Sequence, residues 1–409
     1  MHGSDRMALV LIVDDCEDLQ ETLQMVLTDD GFEAAGALDG QRGLQLVRDL
    51  HPDVVLLDMM MPEMDGLEFL SRLRSEASRP PVVANSGFDA YRDESLRRGA
   101  VAFLRKPLSM ETLVRVLRSA IEQHAVPAAD LAQNAASVEQ ERRRALEESH
   151  RAVAQLDEKG MPRAREGLRR IARWMPGYFG FGTCLVHILC DQDVRIAAVH
   201  NGPEQFYEGL QYPRDTVYCD DVITAGSTLV LTDPEHHPSE HFSHHKEIAA
   251  GYRFYVGTPL TVSGGAVLGT LCLGDTAAHE FHTEDMHVLQ SLGRGAARGL
   301  ELGSWPLDEQ GIFERDYCQP FVDAVVERAA RPGGAGVVLT IAPPFRPLPQ
   351  VKGLAVVRLA DARVALLWSG APGTLSLPEA FGERVLGRFD LSDVWDGRTA
   401  RARVQAILS

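Results

Sequence analysis

The chain has 409 residues, with 58 acidic against 41 basic side chains and a formal charge of −17. It is too long for one hydrophobic core and too acidic for nucleic-acid phosphate or anionic lipid to be its main partner. Its six cysteines (Cys16, Cys184, Cys190, Cys219, Cys272, Cys318) include no CxxC pair, which speaks for a reducing compartment and against a disulfide framework or a zinc ribbon.

Residues 8–13, "ALVLIV", form a continuous apolar run of the kind a strand buried on both faces shows, and "CEDLQETLQMVLTDDGF" follows with helical spacing and a terminal Gly. The alternation recurs in "FEAAGAL" and "GQRGLQLVRDL", "DVVLLD" and "DGLEFLSRLRSEA", "PPVVANS" and "RDESLRRGA", "AFLRK" and "METLVRVLRSAIEQHA". Five such repeats predict a doubly wound α/β domain over 1–125, with a parallel sheet between two helical layers.

Residues 126–160 are rich in Ala and in charges of both signs, with no Gly or Pro between 128 and 159, and predict a long helical linker. Leu131, Ala135, Val138, Ala145, Ala152 and Leu156 fall near a 3.5-residue period, interrupted at Arg142 and Ser149. A paired coiled coil, and with it a homodimer, is expected from that stripe, the alternative being a lone solvated helix, since Ala-rich seams specify pairing weakly. Residues 161–303 predict a helix "AREGLRRIARWM", strands "GTCLVHILC", "VRIAAVH", "YRFYVGTPLTV" and "AVLGTLCLG", and a closing helix "TEDMHVLQSLGRGAARGLEL", an α+β domain on an antiparallel sheet. Residues 304–409 offer a helix, the strand "GVVLTIA" and the apolar pair "GLAVVRLA" and "ARVALLWSG", a small α/β domain. No stretch reaches the ~18 apolar residues of a membrane span, and "MALVLIV" is short for a signal peptide, so a soluble cytoplasmic protein is expected.

In a parallel sheet of this kind ligands sit outside the carboxyl ends of the strands, where Asp14, Asp15, Asp58, Ser86 and Lys106 all fall. Three carboxylates there repel one another unless a cation lies between them, and oxygen-only donors point to Mg2+. A phosphoryl group neutralised in this way lets an Asp act as nucleophile and form an acyl phosphate. Ser86 can bond a phosphoryl oxygen and Lys106 adds a point cation. With only four lysines in the chain, Lys106 is not a casual choice. Taken alone, Asp14-Asp15 also fits a helix N-cap pair and Lys106 a surface charge.

The motifs "LIVDDCED", "VVLLDMMMPEMDG", "VVANSG" and "AFLRKPL" make residues 8–124 resemble a response-regulator receiver domain of two-component signalling. The resemblance implies that Asp58 accepts a phosphoryl group from a partner sensor histidine kinase. It also implies that Asp14, Asp15, Asp58 and the backbone carbonyl of Met60 hold Mg2+, that Lys106 and Ser86 contact the phosphoryl oxygens, that Phe103 is the switch aromatic, and that Lys106-Pro107 is cis. Asn85 and Ser86 depart from the commoner apolar residue and threonine.

The middle segment, through "VYCDDVITAGSTLVLTDPEHHPSEHF", "GYRFYVGTPLTVSGGAVLGTLCLGD" and "HEFHTEDMHVLQSLG", resembles a GAF sensor domain, whose ligand the resemblance does not fix. Cys219 is read as a packed thiol rather than a chromophore attachment. His236, His237, His241, His244 and His245 are read as a solvated polar loop, with a transition-metal site as the alternative. The last segment resembles a degenerate diguanylate cyclase (GGDEF) domain, with Ala360, Asp361, Ala362, Arg363 and Val364 in the signature turn; the alternative is an unrelated small α/β domain. One acid and no glycine there imply lost cyclase activity. The overall expectation is a response regulator acting by protein contact, the alternative being an enzyme that makes or turns over a cyclic dinucleotide.

Overall fold

The computed structural model describes residues 6–122, 128–159, 161–237, 241–242, 245–310, 312–330, 335–341, 352–359, 364–370 and 385–390, with 402 and 404. The chain divides into two compact units. One combines Met1–Glu147 with Thr224–His245 and Glu280–Thr283, and the other holds Glu148–Ile223, Lys246–His279 and Glu284–Ser409.

In the first unit, strands β1 (Ala8–Val13), β2 (Phe32–Ala37), β3 (Val54–Asp58), β4 (Val82–Ser86) and β5 (Ala102–Arg105) alternate with helices α1 (Glu17–Asp29), α2 (Gly40–Leu50), α3 (Gly66–Leu73), α4 (Arg92–Arg97) and α5 (Met110–Ile121). The sheet runs in the order β2-β1-β3-β4-β5, all neighbours parallel, as the repeated strand-helix pattern predicts. Every residue of β3, β4 and β5 is buried, the reason these strands read as unbroken apolar runs. Val10, Ile12, Leu56, Val83 and Leu104 meet Leu113, Val116 and Leu117 of α5 in one core. The capping residues are legible too: Asp39, Asp65 and Ser109 each accept the backbone N–H three residues on, at the starts of α2, α3 and α5.

Helix α6 (Ala128–Lys159) contributes to both units, and its inward face differs from the expected stripe. Leu131 packs on the core of the first unit, Asn134 and Val138 are buried, and so in the second unit are Ser149 and Val153, while Ala145 is exposed. Polar side chains that satisfy backbone groups select the face. Asn134 bonds the edge of β5 through both its amide atoms, and Ser149 Oγ accepts the Val267 N–H at 2.9 Å. Ser149, expected to interrupt the stripe, lies on the buried face.

In the second unit, helix α7 (Met161–Phe179) precedes strands β6 (Thr183–Leu189), β7 (Asp193–His200) and β8 (Gln211–Pro213) and helix α8 (Tyr218–Ala225). The short β9 (Leu229–Leu231) belongs to the residues of the first unit, and α9 (Lys246–Ala249), β10 (Phe254–Thr261), β11 (Val267–Asp275) and α10 (Thr283–Leu302) follow. The order β8-β7-β6-β11-β10 runs through this unit, antiparallel throughout. Helix α7 continues past Pro176, where the sequence predicted an end, because Tyr178 and Phe179 in the added turn are buried.

Residues after 304 supply α11 (Gln319–Ala330), β12 (Ala335–Ile341), β13 (Leu354–Arg358), β14 (Val364–Gly370) and β15 (Val385–Asp390) in a second antiparallel sheet, β13-β14-β12-β15. The predicted hairpin thus lies beside the predicted strand, in one sheet. The turn residues Ala360, Asp361, Ala362 and Arg363 lie outside the described residues. Phe313 and Phe321 stack edge-on against Trp174 of α7, at 4.7 and 5.8 Å between ring centroids. Arg328 of α11 pairs with the buried Glu284 and Asp285 of α10. Among the described residues no helix is long and apolar enough to cross a membrane.

Candidate functional site

Because the parallel strands share one direction, their ends converge, and the backbone ladder continues one residue past them. Asp14 N–H donates to Ala37 O, Met59 N–H to Asn85 O and Lys106 N–H to Ser86 O. That register brings Asp14, Asp15 and Asp58 together, with a carboxylate oxygen from each lying within 4.8 Å of the others. Lys106 Nζ donates to Asp58 Oδ2 at 2.7 Å and to Asp14 Oδ2 at 3.0 Å. The surface-charge reading of Lys106 is thereby excluded, as is the N-cap pair. Cys16 occupies the cap of α1, and Asp14 Oδ1 accepts its N–H at 3.0 Å.

Two glycines and one glutamine build the floor. A Cβ on Gly66 would lie 2.7 Å from Met59 Cα and 2.8 Å from Asp58 O, so only glycine lets α3 begin directly behind the end of β3. A Cβ on Gly36 would lie 2.1 Å from Gln20 Oε1. The space it leaves admits the buried Gln20 carboxamide, which donates to Asp14 O at 2.7 Å and to Ala37 O at 2.5 Å. Sequence reasoning passed over Gln20. Its signal was a polar residue in the apolar stripe of α1, three and seven positions before the buried Leu23 and Leu27.

Burial pushes the Asp15 carboxyl up to about 8, helped by the charges of Asp58 and Asp14 and opposed by Lys106. Burial likewise pushes Asp58 up to about 6, with Lys106 pulling down and Asp14 pushing up. For Lys106 burial acts downward, yet the two carboxylates hold its ammonium above the ordinary range. Three acids around one cation therefore leave negative charge uncompensated, the environment a divalent ion with oxygen ligands fits. Met60 touches the site through its N–H, which donates to Asp58 Oδ1 at 3.1 Å. The Lys106-Pro107 bond is cis.

Ser86 is fully buried, and its Oγ accepts the Phe88 N–H at 3.1 Å. Phe103 is buried, with the Arg92 guanidinium 5.0 Å over its ring. Ala225, His237 and Phe242 of the same unit cover the surface beyond. A Cβ on Gly87 would lie 3.0 Å from Ala225 Cβ, and the Tyr91 ring meets His237 at 5.5 Å and Phe242 at 6.1 Å. The histidine segment is therefore not simply solvated. His236 and His241 are exposed, but His237 is half-buried and His245 buried, and His244 lies outside the described residues.

The family described as response regulator receiver domain matches residues 10–118, and the GAF domain family matches residues 164–300. The regulatory protein AtoC of Escherichia coli (strain K12) is 36% identical over 115 residues, 28% of this chain and 25% of AtoC. The probable transcriptional regulatory protein TcrX of Mycobacterium tuberculosis is 37% identical over 123 residues, 30% of this chain and 53% of TcrX. The solved structure of the Vibrio cholerae chemotaxis protein CheY4 is 30% identical and covers 28% of this chain and 98% of its own, with a TM-score of 0.27. The chain spans a quarter to about half the length of the two curated relatives. Residues 10–118 are a response regulator receiver domain of two-component signalling, residues 164–300 are a GAF domain, and the cluster of three carboxylates and one lysine lies in the first.

Proposed function

We propose that the chain is a response regulator that takes a phosphoryl group onto Asp58 from a sensor histidine kinase and passes the signal on by protein contact. The observation that carries this reading is the bridge from Lys106 Nζ to Asp58 and Asp14 inside a group of three carboxylates. Asp58 Oδ2 attacks phosphorus, the phosphorus–nitrogen bond of the donor phosphohistidine breaks, and the imidazole leaves. Lys106 follows the charge from the carboxylate to the phosphoryl oxygens, and Ser86 Oγ turns from the Phe88 N–H to donate to one of them. Asp14, Asp15, Asp58 and the Met60 carbonyl would hold Mg2+, which when bound would supply the positive charge that the transferred oxygens require.

The covered surface supports the output half of the proposal. Ser86 and Phe103 are neighbours of Gly87, Tyr91 and Arg92, and this is the surface on which Ala225, His237 and Phe242 lie. Arg142 of α6 also donates to Thr224 O at 2.9 Å. A change at Ser86 thus reaches GAF-family residues without leaving the first unit. The C-terminal domain, as a degenerate GGDEF-like element, docks or dimerises and is catalytically silent, the cell compartment is the cytoplasm, and neither nucleic acid nor membrane is a partner. A homodimer fits this scheme. With one face of α6 packed inside the chain, its interface uses the remaining surface of the helix or the later domains.

Acetyl phosphate with Mg2+ tests the site. Mass analysis is expected to show one added phosphoryl group in the wild type, none in Asp58→Asn and little in Asp15→Ala. Full uptake by Asp58→Asn would refute the assignment. Formation of a cyclic dinucleotide from GTP would end the claim of silence, and light scattering of a concentration series decides the dimer.

A further inference from the structure

One face of the sheet in the second unit carries a buried set of soft donor atoms that phosphoryl chemistry does not use. His187 lies on β6, Cys272 on β11 and Cys219 in the first turn of α8, and none is more than 2% exposed. In the register of β6 against β11, His187 stands opposite Thr270 and Leu185 opposite Cys272, so His187 and Cys272 point to the same side. Helix α8 lays Cys219 on that side. Cys219 Sγ lies 3.0 Å from His187 Nδ1 and 3.9 Å from Cys272 Sγ, and Cys272 Sγ lies 4.0 Å from the same ring nitrogen. The Tyr255 hydroxyl is 3.2 Å from Cys272 Sγ and 3.9 Å from Cys219 Sγ. It reaches the group across Gly257, which faces Cys272 in the β10–β11 register and where a Cβ would lie 2.4 Å from that oxygen.

We propose that His187, Cys219 and Cys272 are a zinc-binding site. Tetrahedral zinc, with bonds of about 2.3 Å to sulfur and 2.0–2.1 Å to nitrogen, sets its sulfurs about 3.8 Å apart and a sulfur and nitrogen about 3.6 Å apart. The sulfur pair at 3.9 Å meets that spacing, and the sulfur–nitrogen distances of 3.0 and 4.0 Å fall on either side of it, so shifts of about half an ångström complete the seat. Charge agrees: two thiolates offset Zn2+, and with a neutral imidazole the assembly has no net charge, the state a fully buried pocket accepts. Packing alone needs only the 3.0 Å thiol–imidazole contact. The convergence of a second thiol and a hydroxyl on the same point is what a metal seat adds. A water hydrogen-bonded to the neutral Tyr255 hydroxyl takes the fourth position, and the ion pins α8 to the sheet.

The test uses the full chain, stripped with chelator under reductant, reloaded with zinc, desalted and assayed for metal, with cobalt(II) loaded in parallel. About one zinc per chain is expected, together with the near-ultraviolet thiolate-to-cobalt charge transfer and the intense visible bands of a tetrahedral site. Both are expected to survive in Cys184→Ser, which alters a buried cysteine outside the group, and to vanish in the double variant Cys219→Ser/Cys272→Ser. Because that variant can misfold, the wild-type cobalt spectrum decides independently: absence of the thiolate bands overturns the proposal. So does zinc retained at full stoichiometry by a double variant with native circular dichroism, since the ion would then sit on the exposed histidines of residues 236–241.

Discussion

Asn134→Ala tests whether α6 is docked on the receiver domain rather than free to pair elsewhere. β5 is the edge strand of its sheet, and the Asn134 side chain acts there as a strand neighbour. Its Oδ1 accepts the Arg105 N–H at 2.9 Å and its Nδ2 donates to Arg105 O at 3.3 Å. The residue is 3% exposed, so truncation leaves a backbone donor and acceptor buried without this partner, at ~1–3 kcal/mol each. Local opening is therefore expected to become easier by about 3 kcal/mol, which is roughly a 100-fold faster hydrogen exchange of the Arg105 amide at ~1.4 kcal/mol per factor of ten. Asn134→Asp keeps the acceptor and loses the donor, so its exchange should lie between the two. Phosphoryl uptake from acetyl phosphate should persist, since Asp14, Asp58 and Lys106 are untouched. Exchange within twofold of wild type in Asn134→Ala would show that the helix does not hold the strand.

Three further outcomes follow from particular contacts. Arg328→Ala leaves the Glu284 and Asp285 carboxylates buried without their cation and should cost ~3–5 kcal/mol of stability in urea unfolding; a loss under about 1 kcal/mol contradicts this. Gly66→Ala forces a methyl against Met59 Cα and Asp58 O, so it should destabilise by ~1–3 kcal/mol and slow labelling of Asp58 by acetyl phosphate; an unchanged rate argues against the close approach. Burial pushes the Glu247 carboxyl up to about 8 from 4.5, so between these values the folded chain keeps a proton that the unfolded chain has released. Its contribution to stability is present below pH 4.5 and is lost as the pH rises to 8. Glu247→Gln should remove that slope and be the more stable protein at pH 8 by a few kcal/mol, and parallel stability curves for the two would refute it.

The receiver domain and its site were legible from local sequence because two simple periodicities produce them. Strands buried on both faces show as apolar runs, and parallel strands joined by helices must end at one edge, so Asp14, Asp58, Ser86 and Lys106 were placed before any distance was known. The longer antiparallel strands of the second unit, β6, β7 and β10 to β14, were legible by their apolar runs as well, whereas β8 and β15 were not. Less visible was whatever depends on a partner remote in sequence. Gln20 matters only because Gly36 leaves it room, and the working face of α6 was misread because Ser149 looks like an interruption and Asn134 like an outward polar residue until the backbone groups they satisfy, at Val267 and Arg105, are known.

Sequence by itself determined the strand–helix alternation of the receiver domain, the long strands of the antiparallel sheets and which side chains stand at the ends of β1, β3, β4 and β5, since burial and periodicity are local properties of the chain. Tertiary structure alone decided the cover that Ala225, His237 and Phe242 place over Gly87 and Tyr91, and the meeting of His187, Cys219 and Cys272 from three separate elements. Such groups have no spacing signature. Their proximity is set by sheet register and by the packing of one helix, and both are fixed only when the whole domain buries its apolar surface.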